Sequence, residues 1–447
     1  MVWTRAMNRI TLHDAFVGRG CEGPMPTHAV TIEPGAMWLQ AYKQVTTRAG
    51  RYVQGGGCAT VGVVGLVLGG GFGSYSKNFG TAAASLLEAE VVTADGTVRI
   101  ANACASPDLF WALKGGGGGT FGIVTRATLR THELPPFFGF VAMTIRASSD
   151  AAFRRLVDRF VTFYADSLHN RHWGEIVNVK PNNILEMQLS FQGLDNEQAN
   201  RLWQPFLQWI DNGDKDFAFA TPPRIIAIPA QQRWDIDLIR SRAPAAIVAD
   251  DRPGAPNSNI FWSANLSEAG HFIHAFSSVW LPEALLRRDL RGRLTDALIS
   301  AARHSTVELH FQKGLAGGAE EAIAASKETS TNPAVVQAFA LAIVGSEGPP
   351  AFPGLPSHEP AIRSARQNAT NVARARRELA KVAPDAASYV AESDYFLSDW
   401  QTSYWGSNYS TLLAIKRKYD PDGLFFVHHG VGSEDWSADG FTRVKRR

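Results

Sequence analysis

Residues Gly55 to Gly73 read G-G-G-C-A-T-V-G-V-V-G-L-V-L-G-G-G-F-G, with one cysteine, Cys58, between two glycine clusters. Nine of these nineteen positions are glycine, and most of the others are small or aliphatic. Glycine is kept where backbone turns tightly or lies against a ligand without a side chain in the way. The segment therefore points to a large flat ligand held against bare backbone, with Cys58 as the soft nucleophile beside it. A lone cysteine is otherwise a small buried hydrophobe, so the glycine setting carries the reactive reading.

Outward from that stretch the chain has 447 residues, 45% of them hydrophobic, which is enough for two or three domains with cores of their own. A net charge of +2 gives no broad basic field, which argues against nucleic acid as a partner. Arg443, Lys445, Arg446 and Arg447 read as a solvated basic tail. No apolar run reaches the ~18 residues of a membrane span, and the first ten residues lead into polar sequence rather than the apolar core of a signal peptide. The cysteines Cys21, Cys58 and Cys104 are too few for a disulfide framework or a zinc site, although one disulfide has room to form.

Strand patterns cover Ala29 to Ile32 and Leu86 to Thr93, the second stopped by Asp95-Gly96, with a helix expected over Met37 to Ala49. Ser106 to Gly115 reads as a short helix capped by Ser106, opened by Pro107 and closed by Gly115. Five glycines follow, Gly115 to Gly119, and then a strand to Leu129. Gly117, Gly119 and Gly122 satisfy G-x-G-x-x-G, but they follow a helix and open a strand, the reverse of a nicotinamide site. His132 to Pro136 marks a boundary. Beyond it, helices over Ala152 to Ser167 and Glu197 to Asn212 alternate with strands over Phe138 to Ile145 and Leu185 to Phe191, an α+β unit with an antiparallel sheet. Gly345 to Pro360 reads as a loop. Near the end, Trp400, Tyr404, Trp405 and Tyr409 surround Asn408 ahead of a helix over Ser410 to Lys418.

Gly57 to Gly62 with Gly69 to Gly73, Leu86 to Gly96, Asp108 to Thr125, and Ser407-Asn408-Tyr409 with Ile415 to Phe425 resemble the berberine-bridge-enzyme-like branch of the vanillyl-alcohol-oxidase flavoproteins. The resemblance implies an α+β fold with a PCMH-type FAD-binding domain over 1–135. A substrate domain over 136–393 would follow, and a segment over 394–447 would return to cover the flavin. It implies FAD as cofactor, touched by Gly56, Gly57, Cys58, Thr60, Val61, Gly62, Gly65, Gly69, Gly70, Gly71, Gly122, Ile123, Val124, Asn408 and Tyr409. Cys58 falls at the cysteine that many members bond to C6 of the isoalloxazine. Val61 falls where oxygen-reducing members carry a small residue. Leu66 replaces a common histidine, and Ala84-Ser85 replace Asp-Asn. The pyrophosphate loop Arg-x-Gly-Gly-His-Ser does not occur; Val2 to Ile10 resembles the strand that comes after it, so the first lobe is missing and a shortened form of a longer protein is expected.

The implied reaction takes a proton from a substrate hydroxyl or acidic C–H and passes a hydride to flavin N5 and on to O2, with an alcohol, sugar or secondary metabolite as the small-molecule substrate. A member that is catalytically silent and holds FAD weakly or not at all is the alternative. Val307 to Gly314 is the expected source of the base, because a period of two puts Glu308, His310 and Gln312 on one face. His310 suits proton transfer near neutral pH. Tyr404 and Tyr409 would assist if a phenol pKa were lowered beside the flavin.

Overall fold

A computed structural model describes residues 2–23, 25–213, 215–256, 259–268 and 270–444; Lys445, Arg446 and Arg447 of the basic tail lie outside the described residues. The first sheet is built from β1 (Ile10–Phe16), β2 (Thr27–Ile32), β3 (Arg51–Val53), β4 (Leu86–Val92), β5 (Val98–Asn102) and β6 (Ile123–Glu133). Its order is β1-β2-β6-β4-β5, and β3 pairs with the far end of β6. Every pairing is antiparallel.

One face of this sheet is apolar. Val30, Ile32, Ala89, Val91, Ala127 and Leu129 are buried there against the short helices Trp38–Tyr42 and Val63–Leu68. The other face is polar: His13 Nε2 and Thr128 Oγ1 each lie 2.8 Å from Thr31 Oγ1. Such one-sided burial is what an antiparallel sheet allows. The strand expected over Val2 to Ile10 does not form: β1 begins at Ile10, and the preceding residues turn where Met7 N donates to Thr4 O at 2.8 Å. Ser106 does not cap its helix, having a left-handed φ of +48° and no side-chain cap bond; Pro107 opens Pro107–Leu113, and Asp108 Oδ1 accepts from Leu109 N.

The second sheet holds β7 (Phe137–Ala147), β8 (Trp173–Lys180), β9 (Ile184–Gln192), β10 (Phe217–Pro229), β13 (Phe272–Pro282), β14 (Val307–His310) and β15 (Ala338–Gly348), ordered β10-β7-β9-β8-β14-β15-β13. β11 (Ile247–Ala249) and β12 (Ile260–Trp262) form a separate hairpin. β15 runs to Gly348, paired with β13, so the first residues of the expected Gly345 to Pro360 loop are strand. The helices Asp150–Phe163, Asn196–Asp211, Arg291–Ala302 and Ile362–Ala380 supply Phe160, Trp203, Leu298 and Leu379 to one core with Val141, Met143 and Ala340 of the sheet. Ser149 and Asp195 cap the first two, their side chains accepting from Ala152 N and Gln198 N.

The end of the chain returns to the first sheet. Trp405 Nε1 donates to Gly115 O at 3.0 Å, Lys416 Nζ to Thr120 O at 2.7 Å, and Tyr419 Oη to Asp108 Oδ1 at 2.8 Å. Trp405 and Leu412 are buried in the same core as Val30. The two sheets are joined by Lys77, whose Nζ donates to Gly314 O at 2.7 Å, Ala316 O at 2.6 Å and Phe339 O at 3.2 Å.

Candidate active site

The glycines of Gly55 to Gly73 divide into two groups by what surrounds them. A Cβ on Gly73 would stand 1.7 Å from Gly55 O, and one on Gly70, at φ +100°, 2.7 Å from Thr331 Cγ2. These positions are glycine because backbone crosses backbone, and because L side chains avoid positive φ. Gly69 and Gly71 belong with them: Gly71 N donates to Tyr389 Oη at 3.3 Å, and a Cβ on Gly69 would lie 3.7 Å from the same oxygen.

Gly62 and Gly65 differ, because a Cβ on either would meet nothing within 4 Å. The second glycine run lies alongside: a Cβ on Gly118 would lie 3.9 Å from Gly65 O, and Gly117 N donates to Leu68 O at 2.9 Å. The result is a strip of open backbone, exposed at Gly62, Gly65, Gly118 and Gly119, with half-exposed Cys58, half-buried Thr60 and exposed Val61 at its edge. A flat aromatic cofactor fits such a strip, since packing alone would have tolerated side chains at Gly62, Gly65 and Gly118, whereas Gly119, at φ +71°, is glycine for its backbone conformation. Tyr42 Oη donates to Gly56 O at 2.9 Å and Trp262 Nε1 to Gly57 O at 3.1 Å, anchoring the residues just before Cys58.

Facing Gly57 stands a residue that strand periodicity alone does not single out. Trp173, Gly174 and Glu175 open β8: Trp173 enters the core of the second sheet, and Gly174 lies against the backbone of Ser74. Glu175 has φ +71°, rare for a residue with a side chain and sustained only where surroundings impose it. Its Oε1 accepts from Ser74 Oγ and its Oε2 from Gln312 Nε2 at 3.2 Å. A Cβ on Gly57 would lie 3.6 Å from Glu175 Oε1. The residue keeps part of its surface open, yet desolvation raises the proton affinity of its carboxyl, against Ser74, Lys313 and Arg233, which act the other way. Lys313 is ion-paired with Glu392. The Oε1 of Gln312 is buried without a hydrogen-bond partner among the described residues.

The expected catalytic residues occupy other settings. Glu308 and His310 do meet, with His310 Nε2 3.2 Å from Glu308 Oε2, but β14 stops there and the turn Phe311–Lys313 takes Gln312 to Glu175. Burial, reinforced by Lys313, pushes the His310 pKa down to about 3, so it is a neutral and weakly basic imidazole rather than a group poised near neutral pH. Both phenol pKa values are raised, not lowered: burial acts on Tyr404, and burial with Glu434 on Tyr409, whose hydroxyl donates to Glu434 Oε2 at 2.5 Å. Asn408 Nδ2 donates to Thr331 O at 2.9 Å, fastening the C-terminal segment. Ile123 and Val124 begin β6 and pair with β4, and Gly122, just ahead of them at φ +156°, lies against Val92 O. Leu66, at the position of the common histidine, packs beneath Gly56 and Gly71. Among the described residues no helix is long and apolar enough to cross a membrane.

Comparison with known proteins agrees with this geometry. The family described as "FAD binding domain" matches residues 1–102, and "Berberine and berberine like" matches 388–432. The FAD-linked oxidoreductase easE of Claviceps purpurea is 32% identical over 459 residues, covering 100% of this chain and 85% of that protein. That of Trichophyton verrucosum is also 32% identical, and there the chain spans 63% of the relative's length. The VAO-type flavoprotein oxidase VAO615 of Thermothelomyces thermophilus is 29% identical over 94% of the chain and 66% of the relative. Among solved structures, MtVAO713 from Myceliophthora thermophila C1 superposes with a TM-score of 0.75 at 20% identity, over 98% of this chain and 73% of that one. Glucooligosaccharide oxidase from Acremonium strictum, described as carrying a 6-S-cysteinyl, 8α-N1-histidyl FAD, gives 0.68 at 20% identity, over 96% of this chain and 80% of that one. The chain therefore belongs to the berberine-bridge-like FAD-linked oxidoreductases of the vanillyl-alcohol-oxidase superfamily, and its cofactor is FAD.

Proposed function

We propose that this chain is an oxidase that removes two electrons and two protons from a small alcohol, sugar or secondary metabolite and delivers them to O2. The observation that carries the reading is the open strip of Gly62, Gly65, Gly118 and Gly119 beside Cys58. The relation to VAO615, a flavoprotein oxidase by name, supports oxidase over dehydrogenase, and so does exposed Val61 at the expected oxygen approach. When bound, the isoalloxazine accepts a hydride from substrate and later passes the electrons on. The chain's part is to hold and cover it: the backbone of Gly56 to Gly65 forms one wall, the second glycine run continues it, and the C-terminal segment closes over the far side through Trp405 and Asn408. Cys58 Sγ is the proposed covalent anchor, as in the Acremonium enzyme's 6-S-cysteinyl linkage. We place the functional boundaries near 135 and 393, where the first sheet hands over to the second and the C-terminal segment begins.

Anaerobic addition of a substrate alcohol should bleach the flavin band, and admission of air should restore it with one hydrogen peroxide formed per turnover. Bleaching that is restored only by an artificial acceptor would make the protein a dehydrogenase.

A further inference from the structure

Among the described residues Glu175 is the one acidic residue with a positive φ. Its backbone is left-handed inside a strand. A strained φ at a residue with a side chain persists only where the structure around it imposes that conformation, and such residues gather at functional sites. The surroundings are specific: Gly174 lets β8 press on Ser74, which turns Glu175 toward the residue before Cys58. There Ser74 and Gln312 hold its two oxygens in place, as a positioned proton acceptor requires.

Beside it, Gln312 Oε1 is an acceptor with no partner among the described residues, although the residue is only 4% exposed. A buried amide oxygen left open is costly unless something else fills it. Glu175, which keeps part of its surface open, is the acceptor to which a substrate hydroxyl can donate. The rival groups are spent or weak, since Tyr409 is committed to Glu434 and His310 is held neutral.

We propose, resting on the oxidase reading above, that Glu175 is the catalytic base: its carboxylate takes the hydroxyl proton of an alcohol substrate while Gln312 Nε2 holds that carboxylate in place. The O–H bond breaks with its electron pair kept by oxygen, which forms the carbonyl as the neighbouring C–H hydrogen leaves with its pair for the oxidised flavin; the proton ends on Glu175. The groups setting its titration are Ser74 on the flavin loop, Lys313 after β14, Arg233 after β10 and Glu392 ahead of the C-terminal helices, and the buried phenols of Tyr42, Tyr52 and Tyr75 feel its charge. Burial, the largest effect, and Glu392 raise its pKa, and Ser74, Lys313 and Arg233 lower it. The carboxylate form is needed, so the rate of flavin reduction by substrate should rise with pH through this pKa and then level.

The test uses the full chain with FAD, probed anaerobically with benzyl alcohol and with cellobiose, and dithionite as the control reductant. Glu175→Gln should slow reduction by whichever probe reduces the wild type, by roughly 10²- to 10⁴-fold. It should leave dithionite reduction unchanged and remove the pH limb, and Glu175→Asp should recover part of the rate. Reduction of Glu175→Gln at the wild-type rate overturns the proposal while leaving the oxidase reading intact. If neither probe bleaches a wild-type protein that dithionite does bleach, the alcohol-oxidation reading fails and the proposal with it. A second readout needs no turnover: Glu175→Gly relieves the left-handed strain and a desolvated carboxyl, so its melting temperature should equal or exceed the wild type. A clear drop would make Glu175 a structural strut and overturn the assignment.

Discussion

Gly174 and Ser74 meet backbone to backbone: a Cβ on Gly174 would stand 2.0 Å from the Ser74 carbonyl oxygen. The second sheet thus rests directly on the flavin loop, with no side chain between them, and this contact aims Glu175. Gly174→Ala must separate the two by more than an ångström. A loss of about 1–3 kcal/mol is expected in chemical denaturation, together with weaker flavin retention because Gly57 and Cys58 move with Ser74. An alanine variant of wild-type stability and colour would contradict this geometry.

Lys77 makes a second prediction, in pH. It is fully buried and surrounded by carbonyls, and burial lowers its pKa from 10.5 to about 7, with Glu283 opposing. Because the folded value lies below the unfolded one, between about pH 7 and 10.5 the unfolded chain binds a proton that the folded chain does not. Stability of the wild type relative to Lys77→Met should therefore rise as pH increases through that window. A difference in denaturation midpoint that stays flat would show that the ammonium is not desolvated as its setting indicates.

The fold was largely readable because its signals are local and periodic. Proline at the start of Pro107–Leu113, the alternation in β2 and β4, and the amphipathic helices around Phe160 and Trp203 all gave elements close to those observed. The order of helix and strand around Gly117 to Gly122 also held. The failures are places where distant contacts override local pattern. Ser106 takes a left-handed conformation instead of capping, and residues ahead of Ile10 turn instead of extending. Glu175 was invisible because a glutamate on a strand reads as an exposed polar position. The Trp-Gly-Glu sequence at 173–175 hints at close approach, but which backbone it approaches depends on β8 meeting a loop about a hundred residues earlier.

Lys416 and Asp420 form a buried pair at 2.5 Å that fastens the C-terminal helix Tyr409–Tyr419 to Thr120 and Phe425. Lys416→Met would leave the Asp420 carboxylate, 2% exposed, without its countercharge. Removing one partner of a buried pair costs about 3–5 kcal/mol. The expected outcome is a large drop in denaturation midpoint and faster proteolysis after Tyr404. A drop no larger than for the exposed Arg201–Glu197 pair would refute the role.

Cys21 and Cys104 are joined by a disulfide across a separation of 83 residues. Loop-closure entropy gives about 4.5 kcal/mol for a ring of that size, with measured effects commonly smaller. Cys21→Ser should lower the denaturation midpoint, and a reductant should lower the wild type to the same value while leaving the variant unmoved. With Cys58 tied to the flavin, no free thiol is expected on the unreduced, denatured holoprotein, and a count of two would show that the bond is not made.

The visible absorbance of the purified protein before and after acid precipitation tests most directly whether the strip beside Cys58 holds a flavin. A yellow native protein is predicted, with colour that stays in the acid pellet of the wild type and passes to the supernatant in Cys58→Ala. A colourless native protein after supply of FAD would contradict the assignment of the strip, and a pellet that stays yellow in Cys58→Ala would contradict the assignment of the anchor.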